Sequence, residues 1–312
     1  MKYSQKLSIV VPIMNEQGNI LTLFNRITAA LDNIILFELI FIDDGSTDGT
    51  LKEIKKLAQK DKRVKYLSFS RNFGHQNALR AGLDFASGDA VVSLDGDLQH
   101  PPEIIPQLIE KWQEGYDIVY TIREDVKDTS FFKKKTSSMF YKLINYLSDV
   151  SIDEGSADFR LIDKKVLEVL KNIKENPMFY RGITKWIGFN QFAIPYKPEE
   201  RFWGETKYSV KKMFSFAILG ITSFSVKPLR ISIVMGMIFT FFAFLYAFYA
   251  IYEKLFTDNT LQGWTSILIM ISFIGGIQLI LIGVMGEYLG KLFMESKNRP
   301  AYIIKEKNIN EI

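Results

Sequence analysis

The sequence predicts an α/β fold with a mostly parallel sheet, followed by two C-terminal membrane-spanning helices. Three observations carry this prediction. Short β-branched runs alternate with stretches of helical periodicity up to about residue 122, polar clusters follow each run, and the last third holds two long uncharged apolar stretches. With 312 residues and 47% hydrophobic content, the chain can build one large core and still supply the apolar extension.

The elements read in order. Leu7 to Pro12 (LSIVVP) is a strand, and Asn19 to Leu31 has the 3.6-residue period of a helix. Phe37 to Asp43 (FELIFID) is a second strand; Thr47 or Asp48 can cap a helix beginning near Thr50. Val64 to Phe69 is a third strand, followed by a helix over Gln76 to Ala86. Ala90 to Leu94 and Asp117 to Thr121 are strands on either side of a helix that starts at Pro101-Pro102, where proline suits the first turn. Repetition of β-α-β units implies parallel pairing with helices covering the sheet.

Ligands of open parallel sheets bind beyond the carboxyl ends of the strands, and the polar clusters fall there. Asn15-Glu16 follows the first strand, Asp43 to Ser46 the second, Arg71 to His75 the third, Asp95 to Gln99 the fourth and Arg123 the fifth. Five loops on one rim predict one site. Asp95 and Asp97, one residue apart at a strand end, can turn hard oxygen ligands toward one volume, which suits Mg²⁺ or Mn²⁺ beside a diphosphate. Asp43 and Asp44 are one acid more than a turn requires, and one of them suits hydrogen bonding to a nucleobase.

Several classes are excluded. There is no G-x-x-x-x-G-K-[ST] loop and no G-x-G-x-x-G after the first strand, so neither a P-loop nor a dinucleotide fingerprint is present. The absence of cysteine removes disulfides and thiolate zinc sites, and His75 and His100, the only histidines, lack a partner at zinc-ligand spacing. A net charge of +4 is too dispersed for nucleic-acid binding. Met1 to Lys6 is short and polar, with no signal-peptide pattern.

The ordered series IVVPIMNE, FIDDGSTDGT, SRNFGHQNAL, LDGDLQHPPE and GSADFRLID resembles the family 2 glycosyltransferases of GT-A fold. It is most similar to their polyprenyl-phosphate sugar transferases, the bactoprenol glucosyltransferases and, at greater distance, the dolichol-phosphate mannose synthases. The resemblance runs through the apolar C-terminal part, including Gly286 to Lys291 (GEYLGK). It implies a nucleotide pocket lined by Pro12, Asn15, Glu16, Asp95 and either Asp43 or Asp44. It implies Asp95, Asp97 and Gln99 around the metal, and Asp158 at the reaction centre. The implied reaction is inverting transfer of a sugar, glucose from UDP-glucose, to polyprenyl phosphate. A GDP-mannose-dependent enzyme and a non-catalytic membrane scaffold are the alternatives. A processive synthase is disfavoured because two spans make no pore and no Gln-x-x-Arg-Trp motif occurs.

Arg123, Arg160, Arg201 and Lys207 are candidates for the lipid phosphate and donor diphosphate, the last two within a flap at Arg201 to Tyr208. Lys133 to Lys135 beside Phe131 and Phe132, and the mixed segment Tyr208 to Val226, fit helices resting on a membrane surface. Ile231 to Tyr252 and Ile267 to Met285 then fit two spans. Basic residues flank both outer ends, so the positive-inside rule puts those ends in the cytoplasm. The expected organisation is a catalytic domain over 1–207, an interfacial segment over 208–229, two spans over 230–290 and a cytoplasmic tail over 291–312. A homo-oligomer is expected, with Glu287 pairing between helices or protomers.

Overall fold

The computed structural model describes residues 5–124, 145–148, 150–151, 153–176, 178–199, 220, 222–256 and 263–309. Arg201 and Lys207, the flap at 201–208, the 131–135 segment, and residues 208–219 and 221 of the expected interfacial segment lie outside the described residues.

The chain divides into two compact units. The first comprises Met1–Asn145, Val150–Gly220 and Arg299–Ile312; the second comprises Tyr146–Asp149 and Ile221–Asn298. In the first, the described elements run β1 (Lys6–Ile13), α1 (Ile20–Leu31), β2 (Leu36–Asp43), α2 (Thr50–Lys60), β3 (Val64–Phe69), α3 (His75–Phe85), β4 (Ala90–Ser93), a 3-10 turn (Pro102–Ile104), α4 (Ile105–Gln113), β5 (Ile118–Arg123), β6 (Ser156–Asp163), α5 (Lys164–Asn172), α6 (Tyr180–Trp186), β7 (Gln191–Tyr196) and, near the C-terminus, β8 (Ile304–Lys307). Among the described residues these strands form one sheet in the order β7-β5-β6-β4-β1-β2-β3-β8.

The central pairs β1 with β2, β2 with β3 and β1 with β4 are parallel, as is β5 with β7. β6 runs antiparallel to both β4 and β5, and β8 runs antiparallel to β3. Strands covered on both faces are apolar at nearly every position, and β1 and β2 are buried along seven of their eight residues. On one face Leu7, Ile9, Val11, Leu39 and Phe41 meet Ile20, Leu23, Ile27 and Ile54 from α1 and α2. On the other face α3 lies against β1 at Gly82. A Cβ there would stand 2.1 Å from the Val10 side chain, so only glycine permits that approach. Buried Glu38 is satisfied by Lys6, Ser8 and Ser87, which ties β1 and β2 to the start of β4.

In the second unit α7 (Lys227–Phe256) and α8 (Trp264–Ser296) contain stretches of 27 and 28 residues with a mean hydropathy of 2.2 and no burial. By length and composition each can cross a membrane. At 1.5 Å per residue, 27 residues reach about 40 Å, beyond the roughly 30 Å of a hydrocarbon core. The Lys227 ammonium donates to the carbonyls of Tyr146 and Ser148 at 3.1 Å, and the Tyr288 hydroxyl donates to the Ser225 carbonyl at 2.6 Å. Glu287 is exposed on α8. Residues 291–296 continue α8, and 304–307 form the edge strand β8, so the stretch expected as a tail carries regular structure.

Candidate active site

The carboxyl ends of β1, β2 and β4 open on one rim because these strands are parallel. β6 is antiparallel to β4, with Ser93 opposite Arg160, so the start of β6 reaches the same rim and continuing the register sets Asp158 across from Asp95. The Ser93 hydroxyl donates to the Asp158 carbonyl at 2.6 Å and fixes that strand end. The result is a cavity of about 340 Å³ lined by Pro12 at the end of β1, Met14 and Glu16 beyond it, Asp44 after β2, Asn72 and Gly74 before α3, His75 at the start of α3, Asp95 to Asp97 after β4, Asp158 on β6 and Arg181 on α6.

Each loop is held by its own polar residues. Asn15 adopts φ 55°, a left-handed backbone that asparagine tolerates. Its side-chain oxygen accepts from Thr47 N–H at 2.8 Å, and its own N–H donates to the Ser46 hydroxyl. Asn15 therefore joins the first two loops without facing the cavity. Asp43 is turned inward, accepting from Ser46 N–H and the Ser68 hydroxyl, whereas Asp44 lines the cavity and accepts from the N–H groups of Phe73 and Gly74 at 2.6 and 3.0 Å. Burial raises the Asp44 pKa, and those N–H bonds only partly offset it. Gly45, at φ 71°, leaves no room for a side chain, since a Cβ would stand 2.6 Å from the Arg71 backbone. Asp48 accepts from Thr50 N–H at the start of α2.

In the fourth loop the Asp95 N–H donates to His100 Nδ1 at 3.0 Å, and the Gln99 N–H donates to Asp97 at 3.1 Å. His100 is buried, stacked on Phe159 and edge-on to Tyr196. Gln99 is not on the cavity lining; its carbonyl accepts from Glu199 N–H at 3.3 Å. Arg123 is exposed at the end of β5 and is also off the lining.

Asp158 is buried and gripped by Arg181, with Nε to Oδ1 and Nη2 to Oδ2 both at 3.0 Å. Arg160, two residues along the strand and on the same face, lies 3.8 Å away, and His75 Nε2 is also 3.8 Å away. Burial opposes ionisation, yet the charge and hydrogen bonds of Arg181, with Arg160 and His75 behind it, outweigh burial and hold this carboxyl well below the usual carboxylate range. Arg160 is itself enclosed, donating to the Thr184 hydroxyl and the Ala157 carbonyl, and does not reach the lining.

The structure thus brings Pro12, Glu16, Asp44, Asp95, Asp97 and Asp158 to one cavity. It leaves Asn15, Asp43, Gln99, Arg123 and Arg160 off the lining. Asn72 and His75 join it from the third of the rim loops read from the sequence, while Arg181 and Met14 join it without having been singled out there. His75 Nε2 stands 3.5 Å from Asp95 and bridges toward Asp158. A histidine in the loop after β3 was visible as part of the rim, but Arg181 sits on a short helix far along the chain and carries no spacing signal.

The donor set fits a hard divalent cation in part. Among the described residues no group of three or more His, Asp or Glu side chains is arranged to hold a metal. Asp95 and Asp97 supply two carboxylates, as many as an ion needs that keeps waters and takes its other ligands from phosphate. The described lining carries five carboxylates against one guanidinium, an excess that favours a cation and repels a bare diphosphate.

Residues 8–171 match the family described as glycosyl transferase family 2, and residues 227–292 match the GtrB C-terminal hairpin. An uncharacterised glycosyltransferase of Bacillus subtilis is 45% identical over 300 residues, covering 96% of this chain and 93% of its own. The bactoprenol glucosyl transferase of Shigella phage SfV is 44% identical over 302 residues, covering 96% and 98%. Among solved structures, glucosyl-3-phosphoglycerate synthase from Mycobacterium tuberculosis, in complex with Mn²⁺, uridine-diphosphate-glucose and phosphoglyceric acid, superposes with a TM-score of 0.51 at 19% identity. That match covers 70% of this chain and 78% of the other, and it establishes the GT-A type of α/β fold. Sheet order, acidic rim and full-length kinship agree: the chain belongs to glycosyl transferase family 2.

Proposed function

We propose that the protein transfers glucose from UDP-glucose to a polyprenyl phosphate, with inversion at the sugar carbon, using Mg²⁺ or Mn²⁺, at the cytoplasmic face of a membrane. The observation that carries this reading is the meeting of Glu16, Asp44, Asp95, Asp97 and Asp158, from four strands, around one cavity. The acceptor and sugar rest on the kinship with the phage bactoprenol glucosyl transferase and on the matched hairpin. The membrane side rests on connectivity. Strands before α7 and β8 beyond α8 belong to one sheet, so the apolar pair crosses an even number of times, and the flanking Lys227, Arg230, Lys291 and Lys297 favour the cytoplasm.

A phosphate oxygen of the lipid forms the new bond to the anomeric carbon as the bond from that carbon to the diphosphate breaks, and the nucleoside diphosphate leaves with the electron pair. A phosphate monoester, with a second pKa near 6, is already largely dianionic at neutral pH, so little proton remains to be moved. That matches an Asp158 held ionised and weakly basic, whose part is to orient its neighbours. Asp44 and Glu16 bind and orient the nucleotide, and Asp95 and Asp97 would hold the divalent ion. The ion, when bound, neutralises the diphosphate as it departs.

Purified protein incubated with Mn²⁺ or Mg²⁺, radiolabelled UDP-glucose and polyprenyl phosphate should yield label that partitions into organic solvent. UDP-N-acetylglucosamine, UDP-galactose and GDP-mannose run alongside identify the sugar. Absence of lipid-soluble label with every donor sinks the assignment. Asp97→Ala should abolish metal-dependent turnover, a loss of at least about 100-fold.

A further inference from the structure

We propose that Tyr302, in the stretch of chain that follows α8, is a positioning residue for the donor nucleotide, acting through Phe69 and Phe73 on Asp44. This rests on the function proposed above. The loop after β3, residues 70–74, gives Asn72 and Gly74 to the cavity and the Phe73 and Gly74 N–H groups to the Asp44 carboxylate. One side of this loop is pressed against the turn after β2. A Cβ on Gly45 would stand 2.6 Å from the Arg71 carbonyl carbon and 2.7 Å from the Asn72 nitrogen, so the two backbones are in contact and a shift of residues 71–73 changes where Asp44 can sit.

The other side is held by residues 302–304. The Ser70 N–H donates to the Ile303 carbonyl at 3.0 Å, and the register of β3 with β8 shifts between Ser68 and Phe69, which carries the pairing into the loop. The Tyr302 ring stacks on Phe69 at 5.2 Å, and Phe69 meets the Phe73 ring edge-on at 5.7 Å. The Tyr302 hydroxyl donates to Asp84 on α3 at 2.8 Å, so the same side chain joins the end of β3 to the helix whose first residue, His75, lies on the lining. Backbone in a loop opens more easily than backbone in a strand, and the Phe73 and Gly74 N–H groups serve Asp44 only while the loop keeps this course. Those two bonds also favour the charged form of Asp44 against its burial, so loosening the loop would free the acid in both direction and charge. Docking of the strand itself is separable from this brace. Lys55 pairs with Glu306 at 2.6 Å and the Tyr66 N–H donates to the Asn308 side chain at 2.6 Å, and none of these residues lies on the lining.

The experiment measures equilibrium binding of UDP in Mn²⁺, and KM separately for UDP-glucose and for polyprenyl phosphate, in the full-length protein. Tyr302→Leu keeps apolar bulk and removes the flat ring and the hydroxyl. It should weaken UDP binding and raise the UDP-glucose KM by about 10-fold, with the polyprenyl-phosphate KM within about threefold of wild type. Tyr302→Phe retains the stack and should stay within about threefold in all three measurements. Asn308→Ala loosens β8 at its other end and should lower the denaturation midpoint while UDP affinity stays within about threefold. Where Tyr302→Leu is too unstable to purify, Phe73→Leu removes the braced ring from the cavity side and carries the same expectation. Unchanged UDP affinity in Tyr302→Leu or Phe73→Leu, equal losses toward both substrates, or the same loss in Asn308→Ala overturns the proposal. If wild type binds UDP but makes no lipid-linked product from any donor, it is instead the function assigned above that fails, and the UDP affinities still decide the role of Tyr302.

Discussion

His100 receives the Asp95 N–H on Nδ1, so that nitrogen carries no proton and the ring proton sits on Nε2. The bond closes the loop that carries both Asp95 and Asp97, which makes His100 a support for the acidic pair. His100→Phe keeps the stack on Phe159 and removes the acceptor; His100→Asn places an amide oxygen near the lost nitrogen. The phenylalanine variant should lose about 10- to 100-fold in Mn²⁺ affinity, followed by electron paramagnetic resonance, whereas the asparagine variant should stay within a few-fold. Equal losses in both would assign His100 to packing alone. At this scale Glu16, Asp44, Asp95 and Asp97 were legible because each follows a strand end in a short recognisable string, whereas Asp158, on β6 itself, was reached through the family resemblance. Arg181 was not, because its partner Asp158 lies 23 residues away and the pairing exists only once β6 and α6 pack. Asp43 and Asp44 are adjacent in sequence and look equivalent there. The alternation of side chains at the strand end separates them, one to the loop interior and one to the cavity.

Helix α3 brings Gly74 and His75 to the rim, and its closeness to β1 depends on Gly82. Gly82→Ala should destabilise the protein by about 1–3 kcal/mol, read as a lower midpoint in chemical denaturation, because the Val10 side chain and β1 must shift. It should also weaken nucleotide binding, since α3 and the Phe73 and Gly74 N–H groups that Asp44 holds move together. A variant with wild-type stability would show that α3 does not need this approach. The strands β1, β2 and β4 were legible as elements because both faces are buried and their runs are almost continuously apolar, and β3 and β5 because they are short runs rich in β-branched and aromatic residues. β8 was not, since Ile304–Lys307 alternates half-buried with exposed residues and is a short, charged edge strand. It is docked by neighbours far away in sequence: the Tyr302 ring stacks on Phe69, its hydroxyl donates to Asp84 at 2.8 Å, and Lys55 pairs with Glu306 at 2.6 Å.

For the whole molecule, buried acids set the response to pH. Glu38 meets burial that opposes ionisation, but Lys6, Ser8 and Ser87 outweigh it and lower its pKa, and Asp158 is lowered more strongly by Arg181. A carboxyl depressed in the folded state contributes stability that is complete above its unfolded value, about 4, and is lost as pH falls below it. Asp44 and Asp84 are raised by burial and act in the opposite direction, favouring the fold as they take up protons. The denaturation midpoint in detergent should therefore stay nearly level from about pH 6 to 8 and drop below about pH 4. Glu38→Gln should flatten that acid limb while lowering stability at neutral pH, because it leaves Lys6 without its charged partner. An acid limb identical to wild type would remove Glu38 from this account.

The pairing of β8 with β3 has a consequence for biosynthesis. Tyr66 and Asn308, which bond across this seam, are 242 residues apart, and both apolar helices lie between them. A ribosome releases the first strands long before the last one, so the outer side of β3 waits uncapped while the hairpin is made. An open strand side invites pairing with the wrong chain. Folding of the first unit thus ends only after both apolar helices have been synthesised, and a chain stalled before that step is the form most exposed to aggregation and proteolysis.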